Sequence, residues 1–296
     1  MPRFSGKTVI VTGSSSGIGA ATAVLFAKEG ANVTITGRNE DALKATHDAM
    51  LIAGAKEENI LIVVGDVVEQ NTREGIVNKT VSKWGNLDIL VNNFNNKTKV
   101  SISNKVFKFI FFSVMELIRL ARPHLVSSKG EIVNVSSIAG LNFGFKTSTY
   151  YAISKAALDQ MTRAVALELI EVGVRVNSVR FVRNFFCCFF YLISSIKKIR
   201  FYTNLHYSPG FVCTKFFQNI GLSSSASDMA YSYWESNHDI IPSGKVGTPN
   251  DIASVIAFLA DRTSSSYIVG QTVVADGGSS IVMAASTHDM GKILSQ

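Results

Sequence analysis

Val9-Ile10-Val11-Thr12 runs into Gly13-Ser14-Ser15-Ser16-Gly17-Ile18-Gly19, and that stretch runs into Ala20-Ala21-Thr22-Ala23-Val24-Leu25-Phe26-Ala27. A β-branched run, a glycine-spaced turn and a helix-forming run, in that order, predict a buried strand, a tight loop and a helix start. Such a loop aims its free backbone N–H groups, and the positive end of the helix dipole, at one spot. A pyrophosphate fits there. Gly13 and Gly17 let the backbone come close to a ligand, and Gly19 lets the helix pack on the strand. An ordinary glycine-rich turn has the same composition, so the rest of the chain must decide between the two readings.

The rest of the chain repeats the pattern. Strands are expected at Asn32–Thr36, Ile60–Val64, Leu87–Asn92, Glu131–Ser136, Val174–Val179 and Gln271–Ala275. Helices are expected at Glu40–Met50, Asn71–Trp84, Asn104–Val126, Tyr150–Glu171 and Pro249–Leu259. Alternating β and α, with strands that are apolar throughout, imply an α/β fold: a doubly wound parallel sheet of about seven strands with helices on both faces. Ligands of such sheets bind at the carboxyl ends of the strands, near the switch in strand order. The 296 residues, 47% of them hydrophobic, suffice for one large domain, residues 1–296.

The net charge of +7 is uneven. Five basic residues and no acid lie between Arg180 and Tyr207, and without them the balance is only +2. A general affinity for nucleic acid or membranes is therefore not implied. The three cysteines, Cys187, Cys188 and Cys213, have neither a disulfide framework nor a zinc spacing, so no metal site is expected. Met1–Lys7 has no signal-peptide run, and no apolar stretch reaches a full transmembrane span; a reducing, cytoplasmic compartment is expected.

The second strand ends in Gly37-Arg38. An acid at this tip would hold a ribose 2′-hydroxyl, as in NAD sites. Arg38 instead suits a 2′-phosphate, which favours NADP over NAD. A solvated surface arginine is the plain alternative. Asp66, past the third strand, could accept from an adenine amino group or cap the next helix.

Tyr151-Ala152-Ile153-Ser154-Lys155 opens a helix, and its i, i+4 spacing puts Tyr151 and Lys155 on one face. A tyrosine titrating near ~10 is a poor acid–base catalyst at neutral pH; a nearby lysine cation favours the tyrosinate. Ser136-Ser137 closes the fifth strand at the same sheet edge, where a hydroxyl can hydrogen-bond a substrate oxygen.

Together, these features resemble the short-chain dehydrogenase/reductase family. The residues are Thr12-Gly-Ser-Ser-Ser-Gly-Ile-Gly19, Asp66-Val67, Val91-Asn92-Asn93, Asn134-Val-Ser-Ser137, Tyr151-x-x-x-Lys155, Ser208-Pro209-Gly210-x-Val212-x-Thr214 and Asp276-Gly277-Gly278, in the family's order. The resemblance implies a Rossmann fold, a nicotinamide cofactor and interconversion of a carbonyl and a secondary alcohol. It implies that Tyr151 is the proton donor or acceptor, that Lys155 holds the nicotinamide ribose and that Ser137 orients the substrate oxygen. The cofactor would be bound by Gly13, Ser14, Ser15, Ser16, Gly17, Ile18, Gly19, Arg38, Asp66, Val67 and Asn93. Tyr151, Lys155, Pro209, Gly210, Val212 and Thr214 would complete that set. A homodimer or homotetramer is implied, paired through the helices expected at Asn104–Val126 and Tyr150–Glu171. A small-molecule carbonyl or alcohol is the expected partner, and membrane-surface contact is not.

The chain departs from the family in two places. Asn92-Asn93 is followed by Phe94-Asn95 where the family has Ala-Gly, and Ile110 falls where the family places the Asn of a proton relay. Ile110 cannot hydrogen-bond. Second, Val179 should lead at once to Ser-Pro-Gly, yet residues 180–207 intervene, with an apolar stretch from Phe185 to Ile196. This segment reads as translated non-coding sequence, since joining codons at Arg180 and Ser208 restores Ser-Pro-Gly. An interfacial helix and a substrate-site insertion are the other readings. Residues 223–248 match the family's substrate lid. A cofactor-binding protein without turnover, impaired by Phe94, Ile110 and the insertion, is the alternative to an enzyme.

Overall fold

The computed structural model describes residues 2–93, 111–141, 149–181, 212, 223–236, 238 and 241–282. Seven strands form one sheet: β1 (Thr8–Thr12), β2 (Asn32–Gly37), β3 (Ile60–Val64), β4 (Ile89–Asn92), β5 (Glu131–Ser137), β6 (Arg175–Phe181) and β7 (Thr272–Val274). Their order is β3-β2-β1-β4-β5-β6-β7, and the registered pairs are parallel. This is a Rossmann-type α/β sheet. Every residue of β1 and of β5 is buried, so these strands carry apolar or hydrogen-bonded side chains on both faces rather than alternating.

The helices are α1 (Gly17–Lys28), α2 (Glu40–Ile52), α3 (Gln70–Trp84), α4 (Ser113–Ser128), α5 (Thr149–Ile170), α6 (Ser224–Glu235), α7 (Pro249–Ala260) and the short α8 (Arg262–Ser265). One sheet face is covered by α3, α4 and α5, which share an apolar cluster built on Ile10, Leu90 and Val176. On the other side, α1 packs against α2 and α7.

Contacts divide the chain into two compact units. The first, residues 1–180 and 249–274, holds the sheet and its covering helices. Its lower rim is tied by charge. Buried Glu131 of β5 accepts from Arg175 of β6 at 2.9 Å and from Arg262 of α8 at 2.6 Å. Burial pushes the Glu131 carboxyl above its ordinary value, although both guanidinium groups pull it down. Arg175 also donates to Leu259 O at 3.0 Å and to Ser265 O, so it satisfies the carbonyl ends of α7 and α8. The second unit, residues 181–248 and 275–296, contains α6 and a bridge between Val212 and Gly247. Within it, Ser243 N–H donates to Gly277 O at 3.0 Å.

Element ends differ from the sequence expectation by one or two residues. The expected helix at Asn104–Val126 is described only as α4, and residues 104–110 lie outside the described residues. β4 starts at Ile89 rather than Leu87; just before it, the Asp88 carboxylate braces the sheet by accepting from Thr8 N–H and from Lys7, each at 2.9 Å. β6 runs on to Phe181, so Arg180 and Phe181 belong to the sheet and not to the excursion in which the sequence places them. Residues 182–207 lie outside the described residues. No helix among the described residues is long and apolar enough to cross a membrane.

Candidate active site

The sheet order reverses between β1 and β4, so the loops after these two strands meet at the switch point. They are locked together by one side chain. Asn93 N–H donates to Thr12 Oγ1 at 2.9 Å, and its Nδ2 lies 3.2 Å from both Thr12 O and Gly13 O. Gly13 and Gly17 have φ of 62° and 58°, a left-handed conformation open to glycine. Gly13 and Gly19 also meet a local steric demand. A Cβ on Gly13 would sit 2.2 Å from Asn93 O, and one on Gly19 would sit 2.3 Å from Gly13 O.

Ser14 turns inward. Its buried hydroxyl donates to Val11 O at 2.9 Å and accepts from Thr36 N–H at 2.8 Å, tying the loop to β2. Ser15 is half-buried, and Ser16 is exposed at the N-cap of α1, where its side chain makes no capping hydrogen bond. The first turn of α1 carries no acid. Its amide N–H groups and dipole suit a pyrophosphate, which fits the donor set present. Ile18 is buried in the helix that this loop opens.

At the tip of β2, Arg38 Nη1 lies 3.5 Å from Asp66 Oδ2. Asp66 Oδ1 accepts from Val68 N–H at 3.1 Å, so Asp66 shapes its own turn; the N-cap of α3 is Glu69. Val67 points into the apolar cluster. Arg73 of α3, which the sequence reading passed over, clamps this turn by donating to Val67 O at 2.8 Å and Val68 O at 2.6 Å. Nothing in the sequence distinguishes it from other surface arginines on a helix.

At the far side of the switch point, Ser137 ends β5 and is buried. Its Oγ accepts from Ala139 N–H at 3.1 Å, which leaves the hydroxyl proton available to donate. Lys155 is buried and its Nζ donates to Val135 O at 2.8 Å, two residues before Ser137. The same Nζ lies 5.7 Å from the centroid of the Tyr151 ring. The structure therefore brings the Tyr151/Lys155 face of α5 against the end of β5 that carries Ser137. Gly140 makes this approach possible: a Cβ there would meet the backbone of Lys155 and Ala156 at 2.9 Å. Val212 is buried, while Pro209, Gly210 and Thr214 lie outside the described residues, as do Phe94 and Ile110.

A second polar chain, missed in the sequence, runs beneath this edge. Asn92 Nδ2 donates to Asn134 Oδ1, and Asn134 Nδ2 donates to Thr162 Oγ1, each at 2.9 Å. It links β4, β5 and α5. Among the described residues no cluster of three or more His, Cys, Asp or Glu could hold a metal ion.

Comparison with known proteins agrees with this geometry. Residues 7–181 match the family model described as short chain dehydrogenase. Residues 207–280 match the model described as Enoyl-(Acyl carrier protein) reductase. A 3-oxoacyl-(acyl-carrier-protein) reductase of Thermotoga maritima is 32% identical over 93% of this chain and 98% of its own length. A rat L-fucose dehydrogenase is 29% identical over 94% of this chain and 91% of its own. A crystal structure of a Caenorhabditis elegans short-chain dehydrogenase/reductase of unknown function, with cofactor, is 42% identical and superposes with a TM-score of 0.82, covering 97% of this chain and 100% of that one. With the glycine loop, the Tyr151/Lys155 face and Ser137 on one sheet, and with these matches across nearly its whole length, the chain belongs to the short-chain dehydrogenase/reductase family of oxidoreductases.

Proposed function

We propose that this chain is an NADP-preferring dehydrogenase/reductase of a small or lipophilic carbonyl or secondary alcohol. The observation that carries the reading is the contact set of Lys155: Nζ on Val135 O at 2.8 Å and 5.7 Å from the Tyr151 ring centroid, at the strand end that bears Ser137. Bound NADP(H) would supply or take the hydride. Tyr151 gives or takes the proton at the substrate oxygen, and the fixed Lys155 cation favours the tyrosinate when the proton leaves. Ser137 donates its hydroxyl proton to the substrate oxygen as charge grows there. Its accepting bond from Ala139 N–H holds the hydroxyl in one orientation.

The loop Gly13–Gly19 and the α1 N-terminus would hold the pyrophosphate. Asp66, Val67 and Asn93 would border the adenosine, Lys155 would hold the nicotinamide ribose, and Val212 with Pro209, Gly210 and Thr214 would meet the nicotinamide end. Arg38, exposed at the β2 tip where no acid stands, supports the preference for a 2′-phosphate. Residues 223–248 would serve as the lid that selects substrate. Exposed Ile153, Leu167 and Ile170 on α5 favour pairing of that helix in a homo-oligomer.

The reading is tested by Tyr151→Phe, assayed with NADP(H) on hexoses, β-oxoacyl thioesters and small ketones. Turnover should fall by about 10²-fold or more, the usual weight of one positioned acid–base group, while NADPH affinity stays within twofold. Retention of most of the turnover would refute the assignment.

A further inference from the structure

We propose that Asp66 is a specificity-determining residue that works against the 2′-phosphate, by sharing Arg38 with it. This deepens the cofactor reading above and rests on it. The two groups sit at neighbouring strand tips, with Gly37 of β2 in register with Val64 of β3 and Gly65 N–H donating to Gly37 O at 2.9 Å. Arg38 Nη1 and Asp66 Oδ2 are 3.5 Å apart. The carboxylate is not free to swing away. Its Oδ1 accepts from Val68 N–H at 3.1 Å, and Arg73 holds the carbonyls of Val67 and Val68 on the same turn.

Arg38 is the longer and more exposed partner, at 49%, whereas the Asp66 side chain is 33% exposed on a braced turn. A phosphate arriving at the β2 tip therefore meets a guanidinium already facing a fixed anion. It must draw Arg38 off Asp66 or share it, and it meets the repulsion of the carboxylate as well. A ribose 2′-hydroxyl meets neither penalty. The site thus holds a moderated preference: enough charge to favour NADP(H), with Asp66 keeping NAD(H) within reach. Because both partners touch water, the moderation amounts to a several-fold change in ratio, not orders of magnitude.

Asp66→Asn removes the charge and keeps an amide oxygen for Val68 N–H, so the turn is preserved. Fluorescence titration with NADPH and with NADH would compare the parent, Asp66→Asn, Arg38→Ala and the double variant. The ratio of NADH to NADPH dissociation constants should rise about three- to tenfold in Asp66→Asn. Loss of an adenine contact would weaken both nucleotides alike and leave the ratio unmoved. The ratio should fall in Arg38→Ala, and Asp66→Asn should raise it by a smaller factor in the Arg38→Ala background, where only the repulsion of the carboxylate is relieved. A ratio within twofold of the parent in Asp66→Asn overturns the inference, as does an equal rise with and without Arg38. An unchanged ratio in Arg38→Ala would instead strike the NADP-preferring reading on which the inference rests.

Discussion

A single methyl group separates two kinds of glycine in this chain. Gly75, inside α3, has nothing within 4 Å of the position its Cβ would take, and Gly19 has Gly13 O at 2.3 Å and Asn93 Nδ2 at 2.6 Å. Gly75→Ala should therefore stabilise by about 0.5–1 kcal/mol, the usual gain from removing glycine's freedom inside a helix. Gly19→Ala must push the α1 start away from the loop or break the Asn93 clamp, an overpacking cost of about 1–3 kcal/mol. Since the clamped loop is also the proposed pyrophosphate cradle, Gly19→Ala should weaken NADPH binding about tenfold and lower the melting temperature, and Gly75→Ala should do neither. Thermal melts and NADPH titrations of the pair check this. The glycine spacing was legible from sequence, but only part of its cause was. The sequence suggests ligand approach for Gly13; hidden from it is the added demand that the missing Cβ faces the backbone of Asn93, eighty residues away along the chain.

The strands were readable because parallel strands buried on both faces appear as unbroken apolar runs, as in Val9–Val11 and Ile132–Val133. What could not be read is a tertiary pairing at a strand end. Arg180 after Val179 reads in the sequence as the first residue of the intervening segment. In the folded chain its Nε and Nη2 donate to Asp159 Oδ2 at 3.0 and 2.7 Å, and the Asp159 side chain is only 1% exposed. Asp159 stands one turn after Lys155 on α5, and a Cβ on Gly140 would lie 2.7 Å from its Oδ2. The pair thus joins β6, α5 and the turn after Ser137. Breaking a buried pair by removing one partner costs about 3–5 kcal/mol, because the remaining charge has no partner. Arg180→Met should therefore destabilise by about 3 kcal/mol. The double variant Asp159→Asn, Arg180→Met should recover part of the loss, since it no longer buries a lone carboxylate. Denaturant melts of the three chains check this; a loss under about 1 kcal/mol in Arg180→Met would show that the pair does not hold the junction.

At the scale of the whole molecule, the question is what residues 182–206 contribute, since the two family matches end at 181 and resume at 207. Loop entropy does not forbid such an excursion, because each doubling of length adds only ~0.6 kcal/mol. Its composition is the greater burden: Phe185 to Ile196 is nearly all apolar and would need cover, while the seven-stranded sheet of the described residues is formed without it. Two shortened chains separate this segment from the strand end. One, lacking 180–207, joins Val179 to Ser208-Pro209-Gly210. The other, lacking 181–208, joins Arg180 to Pro209-Gly210. They are equal in length and differ only by Ser or Arg at the last position of the shortened strand. Both should be more soluble than the parent. The chain that keeps Arg180 should melt at or above the parent temperature and bind NADPH at least as well. The chain that loses it should melt several degrees lower, because Asp159 is then left with at most a hydroxyl in place of a guanidinium. Melting curves and NADPH titrations of the three proteins decide it: a marked loss of both stability and affinity in the two shortened chains would show that the segment belongs to the working fold.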